Sequence, residues 1–146
     1  MFWKWDAAER EFHVGAHASE SAKFDPAAKA GQDAFLLGKV MFARKVFFAD
    51  LSSSGSGAAD MGCYRGGETV RSAAAAPIAA DGALRGVLEG VLAVDHPEAG
   101  AFTPSDRERL ELWAHHLGRS LNLWRAVEHS KGSARERQVL IDATKR

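Results

Sequence analysis

The chain carries a single thiol. Cys63 stands in the run Met61-Gly62-Cys63-Tyr64-Arg65, with Arg65 and Arg71 close by in sequence. A cation beside a cysteine lowers the thiol pKa and raises the share of thiolate, the nucleophilic form. That pattern points to a redox sensor on a loop; the plainer reading is a structural cysteine with no chemistry. One cysteine excludes a disulfide framework and a cysteine-rich zinc site within one chain, and it fits a reducing compartment.

The other reactive types form no catalytic set. His13 and His17 fall on one face of a predicted strand. His115 and His116 are neighbours on a predicted helix, where side chains diverge by about 100°. Neither pair gains a further ligand from the pattern, so no metal site is assigned and the histidines read as solvated or interfacial. Glu9/Glu11 and Glu108/Glu111 fall on polar faces. The sequence holds no Gly-x-Ser-x-Gly, P-loop or dinucleotide fingerprint. The expectation is a protein that is not an enzyme and requires no cofactor.

Nineteen basic residues balance nineteen acidic ones in a chain of 146 residues. A neutral chain has no long-range field for polyphosphate, which argues against a nucleic-acid partner. The stretch Ala34–Phe48 is too short, and too charged at Lys39, Arg44 and Lys45, to span a bilayer. The opening Met1-Phe2-Trp3-Lys4-Trp5-Asp6 does not read as a signal peptide. These features give a cytoplasmic expectation.

The elements that must position any site follow from periodicity. Phe2–Trp5 and Glu11–His17 read as a strand hairpin. Gln32–Arg44 reads as a short amphipathic helix, Lys45–Leu51 as a buried strand, and Ser52–Val70 as an irregular loop with a short helix near Ala58–Tyr64. Arg71–Ile78 is an alanine strand in which Pro77 implies an edge or a bulge. Asp81-Gly82 is a hairpin signal, and Leu84–Val94 is a long returning strand. Thr103-Pro104-x-Asp106 reads as a capped helix start. The helix that follows carries Leu110, Trp113, Leu117, Leu121 and Trp124 on one stripe and is expected to stop at Lys131-Gly132. A single domain over 1–130 is expected, with a helical or frayed tail over 131–146. The fold class is α/β of the α+β type: an antiparallel sheet of five to six strands, helices on one face and a loop-covered pocket on the other.

The run from Arg71 to Leu121 resembles the second half of GAF domains. Its matching positions are Arg71, Ser72, Pro77, Gly90, Val91, Leu92, Asp95, Phe102, Thr103 and Asp106. Gly38–Leu51 (GKVMFARKVFFADL) is similar to the segment in which a helix leads into a strand ending Asp-Leu. The resemblance implies a regulatory, ligand-sensing or dimerising module of GAF/PAS-like fold. It implies a small-ligand pocket built from Phe48, Asp50, Met61, Tyr64 and Arg71; the plainer reading pairs Arg71 with Asp50 or Asp60. It adds two readings of Cys63. Bilin-attaching relatives commonly place a histidine after the cysteine, where Tyr64 stands here. Free-methionine-sulfoxide reductases need a second thiol, and none exists. GAF domains usually open on a helix beside the last one, whereas this chain opens on a strand. The stripe Leu110, Trp113, Leu117, Leu121 and Trp124 therefore lacks part of its cover, which implies a homodimer through that helix.

Overall fold

A computed structural model describes residues 1–19, 21–52, 61–65, 69–80 and 87–144, with side chains to residue 132. The elements are β1 (Phe2–Asp6), β2 (Glu11–Ala16), β3 (Lys29–Gly31), α1 (Phe35–Ala43), β4 (Phe47–Asp50), β5 (Ser72–Ala79), β6 (Leu88–His96) and α2 (Pro104–Thr144). They form one sheet in the order β3-β2-β1-β6-β5-β4, antiparallel at every step. The expected α+β class is what the chain adopts.

Local chemistry explains the turns. Asp6 Oδ1 accepts from the amides of Ala8 at 2.9 Å and Glu9 at 3.1 Å, so an aspartate side chain closes the β1–β2 turn. At the start of α2, Asp106 Oδ2 accepts from the Thr103 amide at 2.8 Å and hydroxyl at 2.6 Å. The Asp106 amide donates back to the Thr103 carbonyl at 3.0 Å. α1 ends at Arg44, which takes a left-handed conformation while its amide donates to Val40 O.

β5 is the spine of the sheet. All eight of its residues are buried. Ala73 and Ala75 face one cluster, with Trp3, Phe12, Leu36, Leu37, Val40, Met61 and Val91. Ala74, Ala76 and Ile78 face the other, with Val46, Leu110 and Ala114. Small side chains on both faces let two layers close on one strand. α2 covers one face. α1 lies on the opposite face with the Met61–Arg65 segment, not beside α2, because Leu36, Leu37 and Val40 pack with Ala73, Ala75, Val91 and Ala93.

One strand is added to the sequence reading, and several boundaries move. β3 is an extra strand of three residues, held by Phe12↔Ala30 pairing. α1 begins at Phe35, since Gln32 belongs to the turn after β3. β6 runs on to His96. α2 passes through Lys131-Gly132 to Thr144 without a positive φ at Gly132, so the helix does not stop where the sequence reading ended it. A lone glycine costs a helix only about 1 kcal/mol relative to alanine. The predicted Asp81-Gly82 turn and the start of the Leu84–Val94 strand lie outside the described residues, as do the first three residues of the Ala58–Tyr64 helix, whose last residue instead bridges to Phe24. Pro77 sits past the stretch of β5 that β4 covers, and a bulge follows between Ile78 and Ala79.

The tightest approach is α2 on β5. A Cβ added at Gly118 would stand 2.1 Å from the Ala79 carbonyl oxygen. Backbone cannot swing aside as a side chain does. Gly118→Ala is therefore expected to destabilise the domain by about 1–3 kcal/mol, the usual range for overpacking. A urea-midpoint series checks this; an unchanged midpoint would show that α2 is not seated as described.

Candidate functional site

The loop-side face of the sheet carries the polar groups that converge. The Met61–Arg65 segment is tied to the chain around Phe24. Asp25 N donates to Cys63 O at 2.8 Å, and Arg65 N donates to Lys23 O at 2.9 Å. The Arg65 guanidinium also meets the Asp25 carboxylate, which holds the Asp25 carboxyl below its ordinary pKa together with the Ala27 amide. This places Met61 and Cys63 in the core and Tyr64 at its edge. Tyr64 packs edge-on against Phe24 and donates its hydroxyl to Asp95 Oδ2 at 2.8 Å. Burial first, and the Asp95 carboxylate second, push the Tyr64 hydroxyl pKa upward.

Cys63 lies in the same corner, 1% exposed, with its sulfur 3.4 Å from the Met1 sulfur. Burial, then the nearby Asp95 carboxylate, raise its pKa to about 12. A thiol so buried and so weakly acidic is a poor nucleophile. The geometry thus runs against all three reactive readings of Cys63.

Among the sequence-predicted pocket residues, Met61 and Tyr64 meet on this face; Phe48 and Asp50 do not join them. Phe48 pairs with Ala74 and points to the α2 side. There it meets the Phe102 ring at 6.0 Å and the Arg107 guanidinium at 5.0 Å. Phe47 is the β4 aromatic that packs on the loop side. Asp50 shares the parity of Phe48 and lines a cleft with Ser72 and Phe102. Its carboxylate accepts from the Ser52 amide at 2.9 Å, and Ser52 lowers its pKa. The Arg71 side chain is exposed and, among the described residues, forms no ion pair with Asp50. Asp60 lies outside them. Asp95, read only as a family-like position, is the group that holds Tyr64.

The acidic pair of the first turn gains partners in space. Glu9, Glu11 and His13 bring ligand-type atoms within 4.8 Å of one another. Lys29 Nζ already sits 2.5 Å from Glu11 and 3.5 Å from Glu9, so an ammonium occupies the position a cation would take. His17 instead stacks on Phe24 at 4.4 Å.

On the opposite face, α2 divides its stripe. Leu110 is buried on the sheet with Ala114, and Leu117 and Leu121 are half-buried beside them. Trp113 is 70% exposed and Trp124 61% exposed, with Leu112, Leu123 and Val127 also in solvent. A groove of about 320 Å³ runs beside Trp113, between Leu110 on the helix and Leu92, Val94 and Phe102. Near the end of the sheet contact, Arg125 clamps Glu89 through both carboxylate oxygens. Glu89 is buried, and it sits in the β-bulge, where Ile78 opposes Gly90 and Ala79 opposes Leu88. No sequence signal marked this pair, whose members stand 36 residues apart.

The GAF domain family model matches residues 7–121. The chain belongs to the GAF domain family. Its fold is also similar to the crystal structure of the phycocyanobilin-bound GAF domain from a cyanobacterial phytochrome, with a TM-score of 0.63 at 17% identity. That match covers 88% of this chain and 76% of the other. No match is found among curated proteins. GAF domains are in general regulatory sensor domains rather than enzymes. Among the described residues, no helix of this GAF domain is long and apolar enough to cross a membrane.

Two outcomes follow from the geometry. In the folded GAF domain Cys63 keeps its proton up to about pH 12, whereas an unperturbed cysteine ionises near 9.0. The unfolded state therefore binds fewer protons between those values, and stability falls as pH rises through that window. Below the window, Cys63 is expected to resist iodoacetamide at pH 8 until denaturant is added. Alkylation at the rate of a free thiol in native buffer would overturn the burial. Arg125→Ala leaves the Glu89 carboxylate buried without its partner. Since half of Arg125 faces water, a loss of about 1–3 kcal/mol is expected by denaturant titration.

Proposed function

We propose that this GAF domain is a regulatory signalling module that binds a small ligand on the loop-side face of its sheet and dimerises through α2. The observation that carries the reading is the double burial of β5. Alternate residues of one strand line the loop-side cluster and the α2-side cluster, so a change in packing on one face is felt on the other. The similar phytochrome domain is phycocyanobilin-bound, which supports a flat or apolar ligand class here. Attachment through Cys63 is disfavoured by its burial, so the ligand is held without a covalent bond. Tyr64 and Asp95 offer the polar anchor, Met61 an apolar wall, and Arg71 an exposed cation at the rim. A cytoplasmic site of action and a partner other than nucleic acid complete the proposal, in keeping with zero net charge.

A second reading has a specific observation in its favour. Phe24, Leu36, Leu37, Val40, Leu51, Met61 and Val70 fill much of the loop-side face among the described residues. A face so filled suits a ligand-free interaction domain that serves dimerisation alone. A thiol-based sensor at Cys63 remains a remote third.

Native mass spectrometry of freshly purified protein separates the first two readings. The expected result is a dimer carrying a constant small adduct. A bare dimer would favour the ligand-free reading, and a bare monomer would remove the dimer from both. Replacing Trp113 and Trp124 together by alanine is expected to give a folded monomer, because neither indole is part of the protomer's own core.

A further inference from the structure

We infer that the cleft between α2 and the end of β5 that β4 does not reach is a binding site for a small zwitterion with an apolar body, of the free aliphatic amino acid class. The site lies on the α2 side of the sheet, apart from the loop-side face, and it assumes neither the loop-side ligand nor the dimer. The cleft has a volume of about 260 Å³. Sites for drug-sized ligands span about 300–1,000 Å³, so the occupant here is a smaller molecule. Val46, Ala76 and Pro77 supply an apolar floor, and all three are buried. The first residue of β4, Phe47, pairs with Ala75, so among the described residues no strand runs on beside Ala76 and Pro77. Space is left where the chain turns aside at Val46 and where β5 carries small side chains.

Two opposite charges line this cleft. Lys45 comes from the turn between α1 and β4, and Glu111 from the second turn of α2, with His115 one turn further along the same helix. Among the described residues, no ion pair joins Lys45 to Glu111, or either of them to another group. The Lys45 ammonium rests 5.6 Å from the centre of the Phe47 ring. Arg107 does not compete for an anion here, because it donates to the Val46 carbonyl at 3.2 Å and lies over the Phe48 ring. A simple anion would meet Glu111, and a simple cation would meet Lys45. A zwitterion answers both: its carboxylate accepts from Lys45, its ammonium donates to Glu111, and its side chain lies on Ala76 and Pro77. Hydrogen bonds between charged partners are the strong ones. Ala79, which also lines the cleft, is the residue whose carbonyl Gly118 approaches. An occupant thus ties the α1–β4 turn to α2 beside the closest contact between that helix and the sheet.

Calorimetric titration of the full chain tests the site, with L-leucine as the probe. Two analogues of the same shape each lack one charge: leucinamide has no carboxylate, and 4-methylpentanoate has no amine. Leucine is expected to bind, and each analogue to bind about tenfold more weakly, as one lost charged contact predicts. Lys45→Gln is expected to weaken leucine about tenfold and leave leucinamide unchanged. Glu111→Gln is expected to weaken leucine similarly and leave 4-methylpentanoate unchanged. Both side chains are exposed, so the two variants should keep the thermal midpoint of the ligand-free protein. No binding of leucine, valine or proline at millimolar concentration overturns the inference. Equal affinity for leucine and both analogues overturns the zwitterion class. Leucine binding that neither substitution alters takes place elsewhere and overturns the cleft. None of these failures changes the adduct or the dimer mass by which the loop-side reading is judged.

Discussion

The backbone of α2 at Gly118 lies against the Ala79 carbonyl so closely that one added methyl would stand 2.1 Å from the oxygen. That approach exists because β5 reads Ser-Ala-Ala-Ala-Ala-Pro-Ile-Ala, nearly free of bulk on either face. Larger side chains on the α2 face would lift the helix and break its contact with Val46 and Phe48. Larger ones on the other face would displace α1 and Met61. The layered arrangement thus depends on how little β5 fills, and the bulk comes from its neighbours Trp3, Phe12, Leu36, Val40 and Leu110. Gly90 plays a similar part across the β1–β6 pair, where an added Cβ would meet the Trp3 carbonyl at 2.0 Å.

What the sequence disclosed was period and punctuation. The start of α2 was readable because Thr103, Pro104 and Asp106 are residues of a helix terminus: Pro104 opens the helix and Asp106 reaches back to the Thr103 amide, while the Thr103 hydroxyl donates to Asp106 rather than capping an amide. The fold class was readable because alternation at Glu11–His17 and the alanine run set strand faces. What could not be read was phase. Alternation says that Phe47 and Phe48 point opposite ways; only the pairing Phe48↔Ala74 says which one meets α2. In the same way, the five apolar residues of the α2 stripe span about 80° of helix surface at 100° per residue. Sequence spacing cannot say which edge of that arc the sheet takes. The Gly118–Ala79 contact settles it, taking Leu110 inward and leaving Trp113 out. β3 gave no signal because three residues, Lys-Ala-Gly, are too few for any period.

The bulge in β6 is the other feature no period could reveal. Strand alternation would place Glu89 on the same face as Val91 and Ala93, among apolar groups. One extra residue opposite Ile78 and Ala79 re-aims it toward Arg125. A buried carboxylate is tolerable only with such a partner. β6 therefore ties both faces: Asp95 near one end receives Tyr64 from the loop side, and Glu89 near the other holds α2.

Pro77 bears on what the protein does among many copies of itself. β4 pairs only with Ser72–Ala75, so among the described residues no strand continues along the second half of β5, an apolar stretch that is buried in the fold and laid open only when the domain loosens. Such an edge is a template on which a stray strand from another molecule can zip up. Proline has no N–H to offer, and its ring crowds the approach, so the template is interrupted at its middle. The residue acts as a gatekeeper in the sense used for aggregation-prone strands. It lets the chain keep an alanine-rich spine without turning that spine into a seed for fibres.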